Sequence, residues 1–383
     1  MALMCLAAFL QGMVFYGPVA SLYRIEAGLS MGEVALIESI YYLLVVALEL
    51  PLGAVAARLG YRRMLLACSV LFFISKLVFW QAASFAGFLA ERVLLAIVCA
   101  GLSGCDTAYL YVAVGPKRAQ RALGLYGAAG EAGLLAATAA FTVMFAAEYR
   151  QAALATACAY GVAVLCTLAL PDVPMQPEDS APLAAQLRGV WQNLRAAPRY
   201  GLVLGADALV EVTGQTVTVF FSQLAYVRCG LSGAQLGMAY LGMTLLGLLQ
   251  GVSHKVTHVM GRRGFALAAC VLMAAACGGL CAVRGPLLCV ACVWGVQICW
   301  RLWQPFIQTM HNDSVHLGAR SVVLSGYSMA QSLTMSGLNL DLGRLADAGV
   351  SFAFAAACAL CMAAFVLIGR YFGKTGKGAF HEL

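Results

Sequence analysis

The chain has 383 residues, of which 62% are hydrophobic and only 11% charged, with a formal net charge of +7. Soluble domains carry about 25% charged residues, and a soluble core of this size could not hide so much apolar surface. The composition therefore excludes a soluble globular protein and defines a polytopic membrane protein. At about 20 residues per spanning helix, the length suits about twelve crossings. The positive excess then marks cytosolic loops and needs no nucleic-acid partner.

In chain order, the apolar segments predict helix 1 over about Met4 to Leu22, helix 2 over Val34 to Ala57 and helix 3 over Met64 to Ala83. Helix 4 follows over Phe88 to Tyr111, helix 5 over Ala122 to Ala146 and helix 6 over Ala152 to Leu170. No cleavable signal peptide is expected, because the first apolar segment begins almost at Met1 and lacks a clear small-residue cleavage site. The composition changes at Pro171, where a polar, proline-rich linker begins. Within it Leu183, Leu187, Val190, Trp191 and Leu194 keep helical spacing, which predicts an amphipathic helix on the cytosolic surface. Residues 200–383 repeat the count: helix 7 over about Tyr200 to Val227, helix 8 over Ala234 to Val256, helix 9 over Phe265 to Val283, helix 10 over Leu287 to Met310, helix 11 over Ser321 to Leu340 and helix 12 over Phe352 to Tyr371. The domains expected are 1–170, a linker 171–199, and 200–383.

The junction of helices 2 and 3 is a tight basic turn carrying Glu49, Pro51, Gly53, Ala57, Arg58, Gly60, Arg62 and Arg63. Gly53 is expected to let two helices approach closely, and Gly60 to supply a turn. A weaker copy lies about 200 residues on, at Lys255, His258, Gly261, Arg262 and Arg263. A generic basic turn accounts for one such loop more easily than for two at half-chain spacing. Gly53, Arg58, Gly60, Arg62 and Arg63 resemble the loop between helices 2 and 3 of major facilitator superfamily transporters. Ala57 stands where that family carries an aspartate.

Arg121 to Gly127 and Arg320 to Gly326 echo one another at the openings of helices 5 and 11. A narrower likeness rests on Gly28-Leu-Ser30, Glu49-x-Pro51-x-Gly53, Gly101-Leu-Ser103-Gly104 and Ala108-Tyr-Leu-Tyr111. It is similar to a poorly characterised bacterial branch of the superfamily assigned as efflux permeases. The resemblance covers nearly the whole chain. It implies an all-α membrane protein of twelve transmembrane helices in two pseudo-symmetric six-helix bundles, with helices 1, 4, 7 and 10 lining a central cavity.

Lysines and arginines set the orientation. With these boundaries sixteen fall on one side, including the linker and both basic turns. Five fall on the other (Arg24, Arg150, Arg228, Arg284 and Arg344), and Lys76, Arg92 and Arg301 lie within or near helices. This places both termini and the linker in the cytosol, in a multi-pass protein expected in the plasma (inner) membrane.

Charges inside a membrane are costly and mark functional candidates. Helix 7 carries Asp207, Glu211, Gln215, Thr218 and Ser222 at intervals that share one face, and helix 10 carries Gln297, Arg301, Gln304 and Gln308 likewise. Asp207 and Arg301 fall at similar depth, about 10 Å from the cytosolic end at 1.5 Å per residue, which predicts a pair. Glu211, one turn deeper, is the expected proton or substrate site. A fixed ion pair that only joins helices is the competing reading. Asp106 is read either as a cation site or as a capping group. Gln11 and Tyr16 are read as facing the cavity or, equally, lipid or another helix. Glu38 and Lys76 are expected to pair across helices 2 and 3, and Glu49 to anchor Arg58 or Arg62 in a gate. On helix 5, Gly124, Gly127, Gly130 and Gly133 suggest close packing; Glu131 has no assigned role.

Gly101-Leu-Ser103-Gly104 matches the G-x-S-G of intramembrane rhomboid proteases, but a serine nucleophile needs a histidine within reach. The five histidines are expected in loops, helix ends or the tail. Walker A and HExxH motifs are absent from the sequence. The Cys289/Cys292 and Cys358/Cys361 pairs lie in apolar segments, where cysteine acts as a small hydrophobe. The expectation is a secondary transporter, not an enzyme, without cofactor or metal, monomeric and working by alternating access. It is expected to couple protons to efflux of a small organic compound. Proton-coupled uptake, and a non-transporting receptor or scaffold on the same fold, are the alternatives.

Overall fold

The computed structural model describes all residues except 104, 147, 174–187, 189–190, 193–194, 196–197, 315–319 and 374–383. Leu183, Leu187, Val190 and Leu194 of the expected amphipathic helix, and Lys374 and Lys377 of the tail, lie outside the described residues.

The apolar segments are helices, each slightly longer than hydropathy alone gives. Helix 1 comprises Ala2–Gly12, a short turn Gly17–Val19 and Ala20–Glu26. Helices 2 and 3 are Met31–Leu59 and Tyr61–Gln81. Helix 4 is Phe85–Leu102 followed by Cys105–Val114, helix 5 is Pro116–Ala140 with a wider turn Phe141–Phe145, and helix 6 is Tyr149–Leu168. Helix 7 runs as Tyr200–Gln215, a π turn Thr216–Phe221 and Ser222–Arg228. Helix 8 opens as Gly233–Gly247 and tightens over Leu248–Val252. The helical run Ser253–Ala282 then holds the end of helix 8 and all of helix 9, broken at Gly261. Helices 10, 11 and 12 are Pro286–Ser314, Arg320–Ala348 and Val350–Gly373.

Among the described residues, ten stretches are long and apolar enough to cross a membrane. One of them, Gly233–Ala282, is 50 residues long and holds two crossings. Helix 11 makes the twelfth crossing; Ser, Thr, Gln and Asn spread through Ser321 to Leu340 lower its hydropathy.

Local chemistry fixes the ends. Ser30 accepts from the Glu33 backbone N–H while the Glu33 carboxylate accepts from Ser30 N–H, a capping box that starts helix 2. Ser232 and Gln235 repeat it at helix 8. Each serine follows a glycine with positive φ, Gly28 or Gly230, so Gly-Leu-Ser recurs at half-chain spacing. The basic turns are a second repeat. Gly60 (φ 82°, ψ 156°) and Gly261 (φ 70°, ψ 155°) each join two helices through a single residue in a region closed to L side chains. The second turn is thus shorter than its sequence suggested, with Lys255 and His258 inside helix 8.

The chain forms two compact units, Met1–Ser180 with Ser232–Leu241, and Ala181–Leu231 with Gly242–Leu383. In the first, Gly12 and Gly133 let helices 1 and 5 touch backbone to backbone, since a Cβ at either would collide with the Gly130 or Phe9 carbonyl. Gly124 and Gly127 meet nothing within 4 Å, so only part of the helix 5 glycine series packs closely. Gly53 also has no neighbour within 4 Å among the described residues, so the close approach expected there is not found. In the second unit Gly214 lies against the Trp300 ring and Gly242 against Trp294.

Candidate functional site

In the second unit, helix 7 leaves the α form where β-branched residues follow Gln215, at Thr216-Val-Thr-Val219. Such π turns recur at functional sites. Just before it lie the two carboxylates. Asp207 is 4% exposed. Its Oδ1 accepts from Trp303 Nε1 at 2.9 Å, and its Oδ2 from Gln331 Nε2 at 3.2 Å. His311 Nε2 lies 3.1 Å from the same Oδ2. One turn on, Glu211 Oε2 accepts from Trp300 Nε1 at 2.8 Å and from Gln304 Nε2.

The expected Asp207–Arg301 pair is not formed: helix 10 turns two tryptophans and His311 toward the carboxylates. Arg301 stacks on the Trp300 ring at 5.0 Å, and its buried Nε has no hydrogen-bond partner. Among the described residues Arg301 makes no ion pair, and its charge acts on Glu211. Gln297 is buried and donates to the Met243 carbonyl, while Gln308 is exposed. Thr218 and Ser222 donate to carbonyls of their own helix, Gly214 and Thr218. The polar stripe therefore narrows to Asp207 and Glu211, followed by half-buried Gln215.

Among the described residues the first unit holds four buried charges, Arg24, Glu38, Lys76 and Glu91, with half-buried Arg92 beside them. Glu38 Oε1 meets Arg24 at 3.4 Å and also Arg92. Glu91 meets Lys76 at 3.5 Å, Arg92 at 3.6 Å and Arg24 at 3.7 Å. Lys76 donates to Tyr16 Oη at 3.0 Å and lies over the rings of Phe72 and Tyr160. The expected Glu38–Lys76 pair is replaced by this network, because helix 4 brings Glu91 between them. Tyr16 is buried and stacked on Phe79 at 4.1 Å, which is the helix-facing reading. Gln11 donates to Ser69. Asp106 accepts from the Thr107 backbone N–H at 2.7 Å and bonds Tyr126, which is the capping reading.

At the turns, Arg62 pairs with Asp172 at 3.3 Å and donates to the Leu168 carbonyl. Arg262 pairs with Asp313 at 2.8 Å. Glu49 makes no ion pair among the described residues, so it does not anchor Arg58 or Arg62. Arg58, Arg63 and Arg263 are exposed. All fifteen cysteines are free thiols.

An all-helical, multi-pass membrane protein with ionisable groups buried inside its helix bundles has the make-up of a secondary transporter. The sequence matches the Major Facilitator Superfamily over residues 2–338, and the chain belongs to that family, whose fold of twelve helices in two six-helix bundles it shares. Its structure is similar to that of the nucleoside transporter NupG (TM-score 0.79, 12% identity, 98% of this chain and 99% of that one covered). It is also similar to a bacterial homologue of the human lysosomal transporter Spinster (0.78, 16%, 97% and 97%). A D-xylose–proton symporter is a third similar structure (0.73, 15%, 97% and 96%). A comparison with curated proteins found no match.

The sequence pointed to Asp207, Glu211 and Gln304. It passed over Trp300, Trp303 and Gln331, which read as ordinary helix residues, and Glu91, whose place in an apolar run was the available signal. His311 stood only among the histidines expected in loops, helix ends or the tail.

Proposed function

We propose that this membrane transporter couples proton movement to the efflux of a small organic compound, with Glu211 as the group that exchanges the proton. One observation carries the reading. Glu211, half-buried, lies one helical turn from the buried carboxylate of Asp207 and is held by neutral donors instead of an ion pair. Two carboxylates one helical turn apart repel one another when both are charged. Trp300, Trp303 and the Arg301 guanidinium around them suit an organic solute with an apolar body and a polar group. The likeness of the loop motifs to efflux permeases supports the outward direction. The excess of Lys and Arg supports cytosolic termini in an inner membrane.

A thermal-shift screen of the purified protein against metabolites and drugs supplies the substrate, because a ligand of the folded state raises its stability. Proteoliposomes with an imposed pH gradient then test the coupling. Glu211→Gln keeps the shape and removes the titration: gradient-driven accumulation is expected to be lost while substrate exchange persists. Wild-type gradient-driven transport by Glu211→Gln would falsify the assignment.

A further inference from the structure

We propose that His311 and Tyr200 form a proton path joining Asp207 to a cavity at the end of the second unit where helix 7 begins. The path rests on the proton-coupling reading above and gives the buried carboxylate of Asp207 a way out to water. The atoms form an unbroken series. Tyr200 Oη lies 2.7 Å from His311 Nδ1, and His311 Nε2 lies 3.1 Å from Asp207 Oδ2. Tyr200 also lines a cavity of about 330 Å³, together with Arg199, Arg262, Asp313, Ser314 and Tyr371. Arg199, Arg262 and Asp313 in its wall give water polar partners there. By the Lys and Arg count this end faces the cytosol.

The surroundings set the direction of the hydrogens. Oδ1 and Oδ2 of Asp207 already accept from Trp303 and Gln331. With Asp207 ionised, His311 takes the tautomer that donates from Nε2, and its Nδ1 accepts the Tyr200 hydroxyl. Helix 11 faces the imidazole with Tyr327, whose ring lies 5.3 Å away, and with Gln331. On its own helix lie Asp313 and Ser314, and helix 12 sets Tyr371 against Tyr200. Asp313 is held by Arg262, so the carboxylate that meets the imidazole is Asp207.

Loading moves one proton and leaves no charge on the path. The Tyr200 O–H breaks as His311 Nδ1–H forms. The Nε2–H breaks as Asp207 Oδ2–H forms, and the Tyr200 oxygen takes a proton from a hydronium ion in the cavity, which leaves as water. Release runs the same bonds in reverse and restores the starting tautomer. Glu211 lies one helical turn beyond, about 6 Å along the axis.

The test needs no substrate. Full-length protein in lipid nanodiscs is given an acid jump, and the C=O stretch of protonated carboxyl groups is followed by time-resolved infrared absorption. Asp207→Asn and Glu211→Gln assign the bands. In Tyr200→Phe and His311→Gln the Asp207 band is expected to reach its full amplitude at least about a hundredfold more slowly, the scale of one positioned acid–base group. In His311→Ala, added imidazole is expected to restore the rate, which a merely structural histidine would not allow. Wild-type rates in both Tyr200→Phe and His311→Gln overturn the path alone. Absence of any carboxyl band assignable to Asp207 or Glu211 overturns the coupling reading, and the path with it. An unchanged unfolding midpoint in Tyr200→Phe separates slow protonation from misfolding.

Discussion

Glu91 shows what one side chain does in this interior. It is 1% exposed and meets Arg24, Lys76 and Arg92, and among the described residues Glu38 shares only Arg24 and Arg92 with it. Breaking a buried charge network by removing one partner costs about 3–5 kcal/mol, because the charges left behind keep their desolvation penalty. Glu91→Gln is expected to lower the unfolding midpoint in detergent by the equivalent of that loss. Glu148→Gln, at an exposed helix start, is expected to change stability by less than about 0.5 kcal/mol. Residues of the candidate site were legible in the sequence where a charge interrupts an apolar run, as at Asp207 and Glu211. Their partners were not. Which residue of helix 10 meets Asp207 depends on the rotation of that helix about its axis. Arg301 and Trp303 are two residues apart, so a depth argument could not choose between them, while rotation turns Trp303 to Asp207 and leaves Arg301 on Trp300. Gln331 comes from helix 11, whose pairing with helix 7 no local pattern encodes.

Among the elements, the helix junctions carry the sharpest constraints. Gly60 and Gly261 adopt backbone angles that cost an L residue about 1–3 kcal/mol, although each has open space around its Cα. Gly60→Ala and Gly261→Ala are each expected to destabilise the fold by that amount through backbone strain alone. Gly53→Ala, inside helix 2 with no neighbour within 4 Å, is expected to be neutral or to stabilise by up to about 1 kcal/mol through helix propensity. Thermal unfolding of the three variants in one detergent checks the contrast; equal losses at Gly53 and Gly60 would reject it. The turn was legible because glycine between basic residues punctuates two apolar runs. The role given to Gly53 was not secured by its sequence, since packing depends on which face of helix 2 meets a neighbour.

Over the whole molecule, the helix count followed from length and hydropathy, and its repeat from spacing. Gly28-Leu-Ser30 and Gly230-Leu-Ser232, and Gly60 and Gly261, recur about 200 residues apart with the same backbone geometry. Helix 11 carries the weakest hydropathic signal of the twelve, as Ser, Thr, Gln and Asn are spread through Ser321 to Leu340. Orientation rests on the distribution of Lys and Arg. With the fifteen cysteines, all free thiols, replaced by alanine, a single cysteine at Asp172 or Arg188 is expected to resist an impermeant reagent in intact cells and to react in inverted vesicles. Labelling in intact cells would reverse the assignment.

The charge network of the first unit also bears on how the chain enters a bilayer. Helix 3 carries Lys76, and the carboxylate that pairs with it lies fifteen residues later, on helix 4. A lone charge disfavours release from the translocon into lipid, by about 2.5–3.5 kcal/mol at a helix centre and by less at Lys76, five residues from the end of helix 3. Helix 3 therefore has reason to wait at the channel until Glu91 has been synthesised, and Arg24 and Glu38 link helices 1 and 2 to the same event. Synthesis would deliver the first four helices to the membrane as one group, and a ribosome stalled between helices 3 and 4 would leave Lys76 exposed for quality control to find.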